Sequence, residues 1–334
     1  MQSYQAQIAL EAITSFASRT GIPLESLRCT CGGPLERRVR EIMQNWERTD
    51  ISPARLEASL MTGVNMGGLA YAHTHLNTQV YIALFTLLTV LFDDQLASAD
   101  AEFTARFHAG LPQLHPFLQL FAEMLRTAGE HFLPFAARAI VNNALTSMDQ
   151  NVFDRESKGM PLHTAAQQYV EWKRMRNGMA ETFAFFVWDR HSFSNIFAYV
   201  QAIPDVLVCI NYINDILSFY KEELEGETTN YVNERAVVTH KTAHAALLDT
   251  VNDAVIAVKK ARDILSQAVR EQEVFENFLE GFVAFHVYSP RYKILELMEG
   301  AKLLSRTRGR RTQARENESN PNHHITLKNI TKFL

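Results

Sequence analysis

The sequence predicts an all-α protein, a single helical bundle around a central cavity. Apolar residues recur at helical spacing through most of the chain, and no stretch shows the sustained two-residue alternation, bounded by hairpin turns, that is typical of strands. Two predicted helices, 77–92 and 204–220, are apolar around most of their circumference. Such helices are buried with other helices wrapped around them, and a bundle with a central cavity is one arrangement that uses them.

Proline residues mark several helix starts. Ser52 can cap a helix whose first turn holds Pro53 and which can run to about Tyr71, and Pro34 and Pro134 occupy similar positions. The predicted helices cover residues 2–18, 34–48, 53–71, 77–95, 100–110, 113–128, 134–152, 161–189, 193–222, 240–270 and 271–304.

Length and composition indicate one large domain over residues 1–304. The chain has 334 residues, of which 47% are hydrophobic, enough for a large core, and no linker rich in Gly, Pro or Ser divides it. From Ser305 the hydrophobic periodicity is lost and arginines accumulate. We predict a flexible, basic tail over residues 305–334, in which solvated charge and a patch for anionic membranes are the alternatives.

Charge and cysteine content exclude several classes of protein. The net charge of −4, without a long basic stripe before the tail, argues against a nucleic-acid partner. The N-terminus has no signal-peptide pattern, and the most apolar stretch, Val80 to Phe92, is too short to span a membrane, so no transmembrane segment is predicted. Cys29, Cys31 and Cys209 form no disulfide framework, which favours a reducing, cytoplasmic location. A homodimer is left open.

Two adjacent carboxylates, Asp93 and Asp94, end the apolar helix 77–95. A helix C-terminus already carries partial negative charge, so acids there are unfavourable without a cation. A hard divalent ion such as Mg²⁺, which takes oxygen ligands, would suit them. The alternative is an exposed acidic pair that leaves the helix for a loop.

A second set of oxygen ligands lies in residues 211–223, NYINDILSFYKEE. Asn214, Ser218 and Glu222 follow one another at four-residue steps, so they form one slanting row on a helix. An amide, a hydroxyl and a carboxylate can converge on one Mg²⁺ ion without the mutual repulsion of three carboxylates. The row could also be the polar stripe of an amphipathic helix, but its apolar neighbours indicate burial, which makes an unpaired Glu222 costly.

These motifs resemble those of a known family. NDILSFYKE, residues 214–222, resembles the Asn/Ser/Glu metal motif of class I terpene cyclases, closest to the fungal trichodiene synthase group. FDD at 92–94 resembles the aspartate-rich motif of that family. Arg291-Tyr292 is similar to its C-terminal Arg-Tyr pair, and KRMRNG at 173–178 resembles the segment that holds its diphosphate-sensing arginine. The implied fold is the class I terpenoid synthase bundle.

The chain departs from this pattern at two places. Ala97 stands where a third acid would complete the aspartate-rich motif, and Ser289-Pro290 replaces the group's usual Asp-Arg before the Arg-Tyr pair. Pro290 should also disturb its helix where Arg291 must be oriented.

The resemblance implies a metal site. Three Mg²⁺ ions would be bound together with the diphosphate of the substrate. Asp93 would bridge two of them, and Asn214, Ser218 and Glu222 would hold the third.

The resemblance also implies a diphosphate site. The residues that would bind the diphosphate are Arg174, Lys221, Arg291 and Tyr292, whose donors suit a multiply charged group. Asp94 would pair with Arg291 when the site closes.

Further roles follow for the segment around the sensor arginine. Asn177 would connect Arg174 to the backbone of Gly178, where a helix break would point a carbonyl at the substrate. Asn214, Ser218 and Glu222 are called the ladder below. Asp215 lies off the helix face that carries the ladder, and it would support the site without binding the metal. Without the resemblance, Arg174 could be an ordinary surface residue and Gly178 a loose spot in a helix.

Five residues are expected to line the cavity of such an enzyme. Phe285 would lie beneath a carbocation, and Thr86, Thr89, Val90 and Asn211 would face the same space, with the threonines and Asn211 able to hold a water for an alcohol product. Ordinary core packing is the alternative for each of them.

The implied activity is Mg²⁺-dependent ionisation of farnesyl diphosphate, a prenyl diphosphate, followed by cyclisation to a sesquiterpene hydrocarbon or alcohol. A chain-elongating prenyltransferase would need a second aspartate-rich motif in place of the Asn/Ser/Glu ladder. A catalytically silent helical protein that binds an apolar ligand would not need the metal set.

Overall fold

The computed structural model describes residues 4–29, 33–46, 51–95 and 100–300, except for the side chains of 93–95 and 300. Over these residues the protein is built from helices and contains no strand, so the all-α prediction is confirmed. The predicted tail and Ala97 lie outside the described residues.

The α-helices have the following bounds in chain order: α1 (Tyr4–Thr20), α2 (Pro34–Met43), α3 (Pro53–Asn65), α4 (Leu76–Gln95), α5 (Phe103–Ala109), α6 (Pro116–Arg126), α7 (Ala128–His131), α8 (Pro134–Glu156), α9 (Gln167–Arg176), α10 (Ala180–Phe185), α11 (Ile203–Glu225), α12 (Tyr231–Thr239), α13 (Ala243–Leu265), α14 (Val269–Tyr288) and α15 (Ile294–Gly300). Single 3₁₀ turns cover Asp100–Glu102, Ile196–Ala198, Val200–Ala202 and Pro290–Tyr292, and a π-helical turn covers Met66–Ala70.

Helix α11 is the central helix of the bundle. It packs against α1, α10, α13 and α14, and it begins with a proline in its first turn and ends at Gly226, whose φ of 70° stops the helix. By length and apolarity alone the stretch Val200–Glu225 could cross a membrane, but 72% of its apolar window is buried inside the protein. We therefore interpret it as the core helix of a bundle.

The π-helical turn allows α14 to approach the core closely. A Cβ at Gly281 of α14 would lie only 2.0 Å from the Leu69 carbonyl oxygen in the π turn. Only glycine permits this approach, because any side chain would collide with backbone atoms. The contact sets the position of the helix whose C-terminal half carries Phe285 and His286.

Two long predicted helices are interrupted in the structure. The helix predicted over 161–189 is split into α9 and α10, because Gly178 and Met179 have φ values of 72° and 55°, outside the range of a right-handed helix. The helix predicted over 271–304 ends at Tyr288, and a 3₁₀ turn that starts at Pro290 precedes α15, as expected for proline. Both breaks lie beside the cavity.

The N-terminal segment, whose role the sequence left open, is part of the bundle. Helix α1 packs against α13 and α11, with Ile13 and Phe16 each 1% exposed.

Helix α12 was not predicted from the sequence. Its N-terminus is capped by Asn230, whose side chain accepts a hydrogen bond from the Asn233 backbone N–H.

Candidate active site

A cavity of about 210 Å³ lies among α3, α4, α8, α10, α11 and α14. The predicted site residues that line it are Thr86, Thr89, Val90, Arg174, Asn177, Gly178, Asn211, Asn214, Phe285, Arg291 and Tyr292. The lining residues that the sequence did not indicate are Thr62, Met66, Ser147, Asn151, Met179, Phe183, Ile210, Phe282 and His286. Lys221, Asp215, Ser218 and Glu222 are not part of the cavity wall.

The Asn/Ser/Glu ladder lies on α11. Its three members follow the same helical row, with Asn214 at the cavity and Ser218 and Glu222 one and two turns further along. Ser218 is 3% exposed, and its Oγ has no hydrogen-bond partner of normal geometry among the described residues. The hydroxyl still influences the Glu222 carboxylate one turn away, and the lone pairs of its oxygen remain available for a ligand.

Glu222 is a carboxylate in an unfavourable place. Burial raises its pKa to about 7, against 4.5 in a model compound, and the nearby Ser218 hydroxyl and Lys221 only partly offset this effect. It forms no ion pair with a described basic residue. A cation bound at its oxygens would supply the missing positive charge.

Arg174 is held by polar groups of α11. Its Nε and Nη2 each lie 2.9 Å from an oxygen of Asp215, and Nη2 also donates to the Asn211 carbonyl oxygen at 2.9 Å. The side chains of Arg174 and Asp215 are only 12% and 10% exposed, and burial raises the pKa of Asp215 while Arg174 opposes that rise. Asp215 is therefore the residue that fixes the orientation of the guanidinium.

The remaining nitrogen of Arg174 lies beside the helix break. Nη1 makes no hydrogen bond with a described residue, and a Cβ placed on Gly178 would lie 3.2 Å from it. The positive φ of Gly178 and the close guanidinium both favour glycine at this position. Arg174 and Gly178 both line the cavity, so this nitrogen is available to a ligand bound there.

Asn177 does not connect Arg174 to Gly178 as expected. Its Nδ2 donates to Asp154 on α8 at 2.9 Å, because its extended backbone, with φ −89° and ψ 158°, turns the side chain toward that helix. The contact ties the break between α9 and α10 to α8. The side chain of Asn177 is thus an anchor for the break.

Asn214 is held between two helices. Its Nδ2 lies 3.1 Å from Nε2 of His286 on α14, and its Oδ1 lies 3.5 Å from Nη2 of Arg174. The second distance exceeds that of a good hydrogen bond, so Oδ1 keeps most of its capacity for another partner. Burial lowers the pKa of His286 to about 4, so its ring is neutral at physiological pH.

The Arg-Tyr pair forms the 3₁₀ turn after α14. Arg291 is exposed at the cavity and forms no ion pair with a described residue, whereas Tyr292 is buried, with its ring centroid 4.4 Å from that of His286. Lys221 points elsewhere. Its Nζ lies 3.3 Å from a carboxylate oxygen of the half-exposed Glu225, one turn further along α11. Lys221 would have to give up this ion pair to bind a diphosphate.

Aromatic rings form much of the apolar wall. Phe282 and Phe285 are stacked with ring centroids 6.3 Å apart, and Phe183 adds a third face on α10. The faces of such rings attract cations. Phe282 and Phe183 could have been found only by knowing which faces of α14 and α10 meet.

The polar wall has few free donors. The hydroxyls of Thr86 and Thr89 donate to backbone oxygens of their own helix, at 2.9 and 3.0 Å, and Nδ2 of Asn211 donates to the Arg174 carbonyl oxygen at 3.3 Å. The two threonine hydroxyls can still accept a hydrogen bond from a water but have no spare proton to donate, and the second proton of Asn211 Nδ2 faces Met175 Sδ at 3.7 Å.

The aspartate-rich motif lies at the end of α4. Asp93 and Asp94 fall inside this helix, one turn beyond the cavity residues Thr89 and Val90, and their side chains lie outside the described residues. Asp100, the first residue of the 3₁₀ turn Asp100–Glu102, is buried and paired with Arg155 of α8. Helix α8 therefore contacts both the 3₁₀ turn Asp100–Glu102 and, through Asp154, the break beside Arg174.

The donor set on α11 fits a hard cation. It combines the buried hydroxyl of Ser218, the carboxylate of Glu222, which has no described basic partner, and the available amide oxygen of Asn214. Oxygen ligands of these kinds are the ones that Mg²⁺ takes. No group of three His, Cys, Asp or Glu side chains forms a metal site within the described part of the chain. This is expected for a set in which only one member is a carboxylate.

The known proteins that are similar to this chain are terpene synthases by name. Residues 37–314 match the family described as Trichodiene synthase (TRI5). Monoterpene synthase 25 of Postia placenta is 33% identical over 89% of each chain, and terpene synthase BipA of Cochliobolus sativus is 35% identical over 67% of this chain and 71% of its own. The crystal structure of germacradien-4-ol synthase from Streptomyces citricolor superimposes with a TM-score of 0.53 and 14% identity, covering 84% of this chain and 95% of that one.

Proposed function

We propose that this chain, which belongs to the trichodiene synthase family and is therefore a terpene synthase, ionises farnesyl diphosphate and cyclises the carbocation to a sesquiterpene. The observation that carries the proposal is the composition of one cavity. Its wall joins an amide of the α11 ladder and two arginines to a surface of phenylalanine rings. Such a wall suits a ligand with an anionic head and an apolar chain.

The polar residues would bind the diphosphate. Arg174 lines the cavity and has one nitrogen available to a ligand, Arg291 is exposed at the mouth, and Tyr292 lies beside it. Mg²⁺ ions held by Asp93 and by Asn214, Ser218 and Glu222 would neutralise the charge that the leaving diphosphate acquires. These roles are proposals, supported by the cavity wall and the donor set.

The apolar residues would control the carbocation. The allylic C–O bond breaks and its electron pair leaves with the diphosphate. Phe183, Phe282 and Phe285 exclude water from the organic chain, and each cation–π contact supplies on the order of 1–2 kcal/mol in a desolvated site. The last cation loses a proton to give a hydrocarbon, or is captured by a water that then loses a proton to give an alcohol.

A ten-carbon substrate, geranyl diphosphate, is the second candidate. The cavity volume of about 210 Å³ lies below the roughly 300 Å³ at which most ligand pockets begin. One of the relatives, at 33% identity, is a monoterpene synthase by name. Both observations favour a shorter chain, whereas the family match favours the longer one.

The test is incubation of the purified full-length chain with geranyl, farnesyl or geranylgeranyl diphosphate, each with Mg²⁺ or with EDTA, followed by gas chromatography and mass spectrometry. We expect a cyclic fifteen-carbon product that forms only with Mg²⁺. A ten-carbon product alone would favour the second candidate. A longer prenyl diphosphate after addition of isopentenyl diphosphate would indicate a chain-elongating transferase, and no product from any substrate would refute the proposal.

The cytoplasmic location and the homodimer stay predictions. Cell fractionation tests the first, and light scattering coupled to gel filtration tests the second.

A further inference from the structure

His286 lies in the middle of the cavity wall and has no place in the mechanism above. It is fully buried on α14, and its ring is packed edge-on against Phe282 and Phe285 with centroids 4.6 and 5.0 Å away. Two polar atoms contact it, one at each ring nitrogen. A neutral imidazole has one donor and one acceptor, so the two contacts identify its tautomer.

The first contact identifies the nitrogen that carries the proton. Nδ1 lies 2.8 Å from the carbonyl oxygen of Phe282, one turn earlier on the same helix. A carbonyl oxygen can only accept, so Nδ1 is the donor. No described carboxylate touches the ring to favour a second proton, and Nε2 is therefore an acceptor.

The second contact then determines the orientation of Asn214. Nε2 requires a donor at 3.1 Å, and the amide can meet this only with its nitrogen, Nδ2. The amide oxygen must then lie on the other side, toward Arg174, whose guanidinium can only donate. The requirement at His286 determines the orientation, and the guanidinium of Arg174, although 3.5 Å away and so no more than a weak contact, is compatible with it.

We propose that His286 is a positioning residue: as the Nδ1–H tautomer it accepts a hydrogen bond from the Asn214 amide and so holds the amide oxygen toward the Mg²⁺ site. The inference rests on the proposed function, since it gives the oxygen of Asn214 a metal to bind. A rotation of the amide by half a turn would present an NH₂ group to the cation. The hydrogen bond to His286 prevents this rotation, because the rotation would place the amide oxygen of Asn214 against Nε2 of His286, and both atoms are acceptors.

The tautomer can be measured without metal or substrate. Nitrogen-15 NMR of the full-length protein with labelled histidine distinguishes Nδ1–H from Nε2–H rings, and the signal lost in His286→Phe assigns the residue. We expect a neutral, Nδ1-protonated ring. An Nε2-protonated ring would overturn the inference, because Nε2 would then require the oxygen of Asn214.

The effect on the metal can be measured by calorimetric titration of Mg²⁺ in the presence of inorganic diphosphate. His286→Phe keeps an aromatic ring but removes the acceptor, and loss of a group that orients a metal ligand weakens binding about 10–100-fold. His286→Gln, which retains an acceptor, should lose less. Circular dichroism and thermal melting check that each variant is folded.

A double-mutant cycle separates orientation from packing. In the Asn214→Asp protein both oxygens are equivalent, so there is nothing left to orient and His286→Phe should cost less than about threefold. An equal loss in both backgrounds, or no loss from His286→Phe in the native background, would refute the positioning role alone. A wild-type protein without Mg²⁺-dependent diphosphate binding would refute the proposed function together with it.

Discussion

Replacement of Glu222 by glutamine should stabilise the metal-free protein while it removes activity. The side chain of Glu222 is partly buried on α11, and the loss of solvent around its carboxylate raises its pKa from 4.5 to about 7. Since the folded-state pKa lies above the unfolded one, the fold favours the protonated form. The cost of ionisation is therefore small below about pH 4.5, grows as the pH rises toward 7 and is constant above that.

The size of the effect follows from the size of the rise. A change from 4.5 to about 7 corresponds to about 3 kcal/mol at most, and residual solvent contact reduces it, so we expect Glu222→Gln to raise the free energy of unfolding by about 1–3 kcal/mol at pH 8. At pH 5 most of this gain should be lost. Product formation should fall by about 100-fold or more, because a metal contributes several kcal/mol to a transition state.

Urea unfolding at pH 8 and pH 5 measures the stability, in buffer with EDTA, and gas chromatography measures the product. Glu225→Gln on the same helix is the matched control, since Glu225 is 50% exposed and should change neither quantity by much. The reasoning would be refuted by a Glu222→Gln protein that is less stable than wild type at pH 8, by a gain that does not depend on pH, or by retained Mg²⁺-dependent turnover.

Three further substitutions test neighbouring parts of the site. Arg174→Met should lower the free energy of unfolding by about 3–5 kcal/mol, because it leaves Asp215 buried without a partner. Adding Asp215→Asn should recover most of this loss in urea unfolding, and equal stability of the single and double variants would contradict the pairing. Gly178→Ala should lower the free energy of unfolding by about 1–2 kcal/mol because of the positive φ, and it should lower the affinity for inorganic diphosphate measured by calorimetry. Unchanged values would show that the break at Gly178 has no part in diphosphate binding. Phe285→Leu should slow product formation about 5- to 30-fold, from the loss of about 1–2 kcal/mol of cation–π stabilisation, and shift the product mixture, and an identical rate and mixture would exclude its contact with the cation.

The features that could be predicted from the sequence are local ones. The ladder of Asn214, Ser218 and Glu222 is visible because four-residue steps on one helix determine the shared face. Pro290 disturbs the helix predicted over 271–304, as expected from proline's effect on the preceding turn, although the end of that helix at Tyr288 was not predicted. The helical class followed from periodicity along almost the whole chain.

The features that were missed depend on contacts between distant segments. Asp215 was placed behind the ladder without a partner, because Arg174 lies 41 residues earlier and the meeting of α9 with α11 cannot be read from either helix alone. His286 was missed for the same reason, since 72 residues separate it from Asn214. The break at Gly178 was expected only from the family resemblance. The hydrophobic periodicity continues across this position and predicted one unbroken helix over 161–189.

A cation held by Asn214, Ser218 and Glu222 on α11 is central to the proposed chemistry. Crystals of the full-length protein grown with Mn²⁺ and inorganic diphosphate, measured at a wavelength where manganese scatters anomalously, would locate it. We predict an anomalous peak about 2.1 Å from Oδ1 of Asn214, Oγ of Ser218 and a carboxylate oxygen of Glu222. Bound diphosphate with no peak within coordination distance of these oxygens would contradict the account.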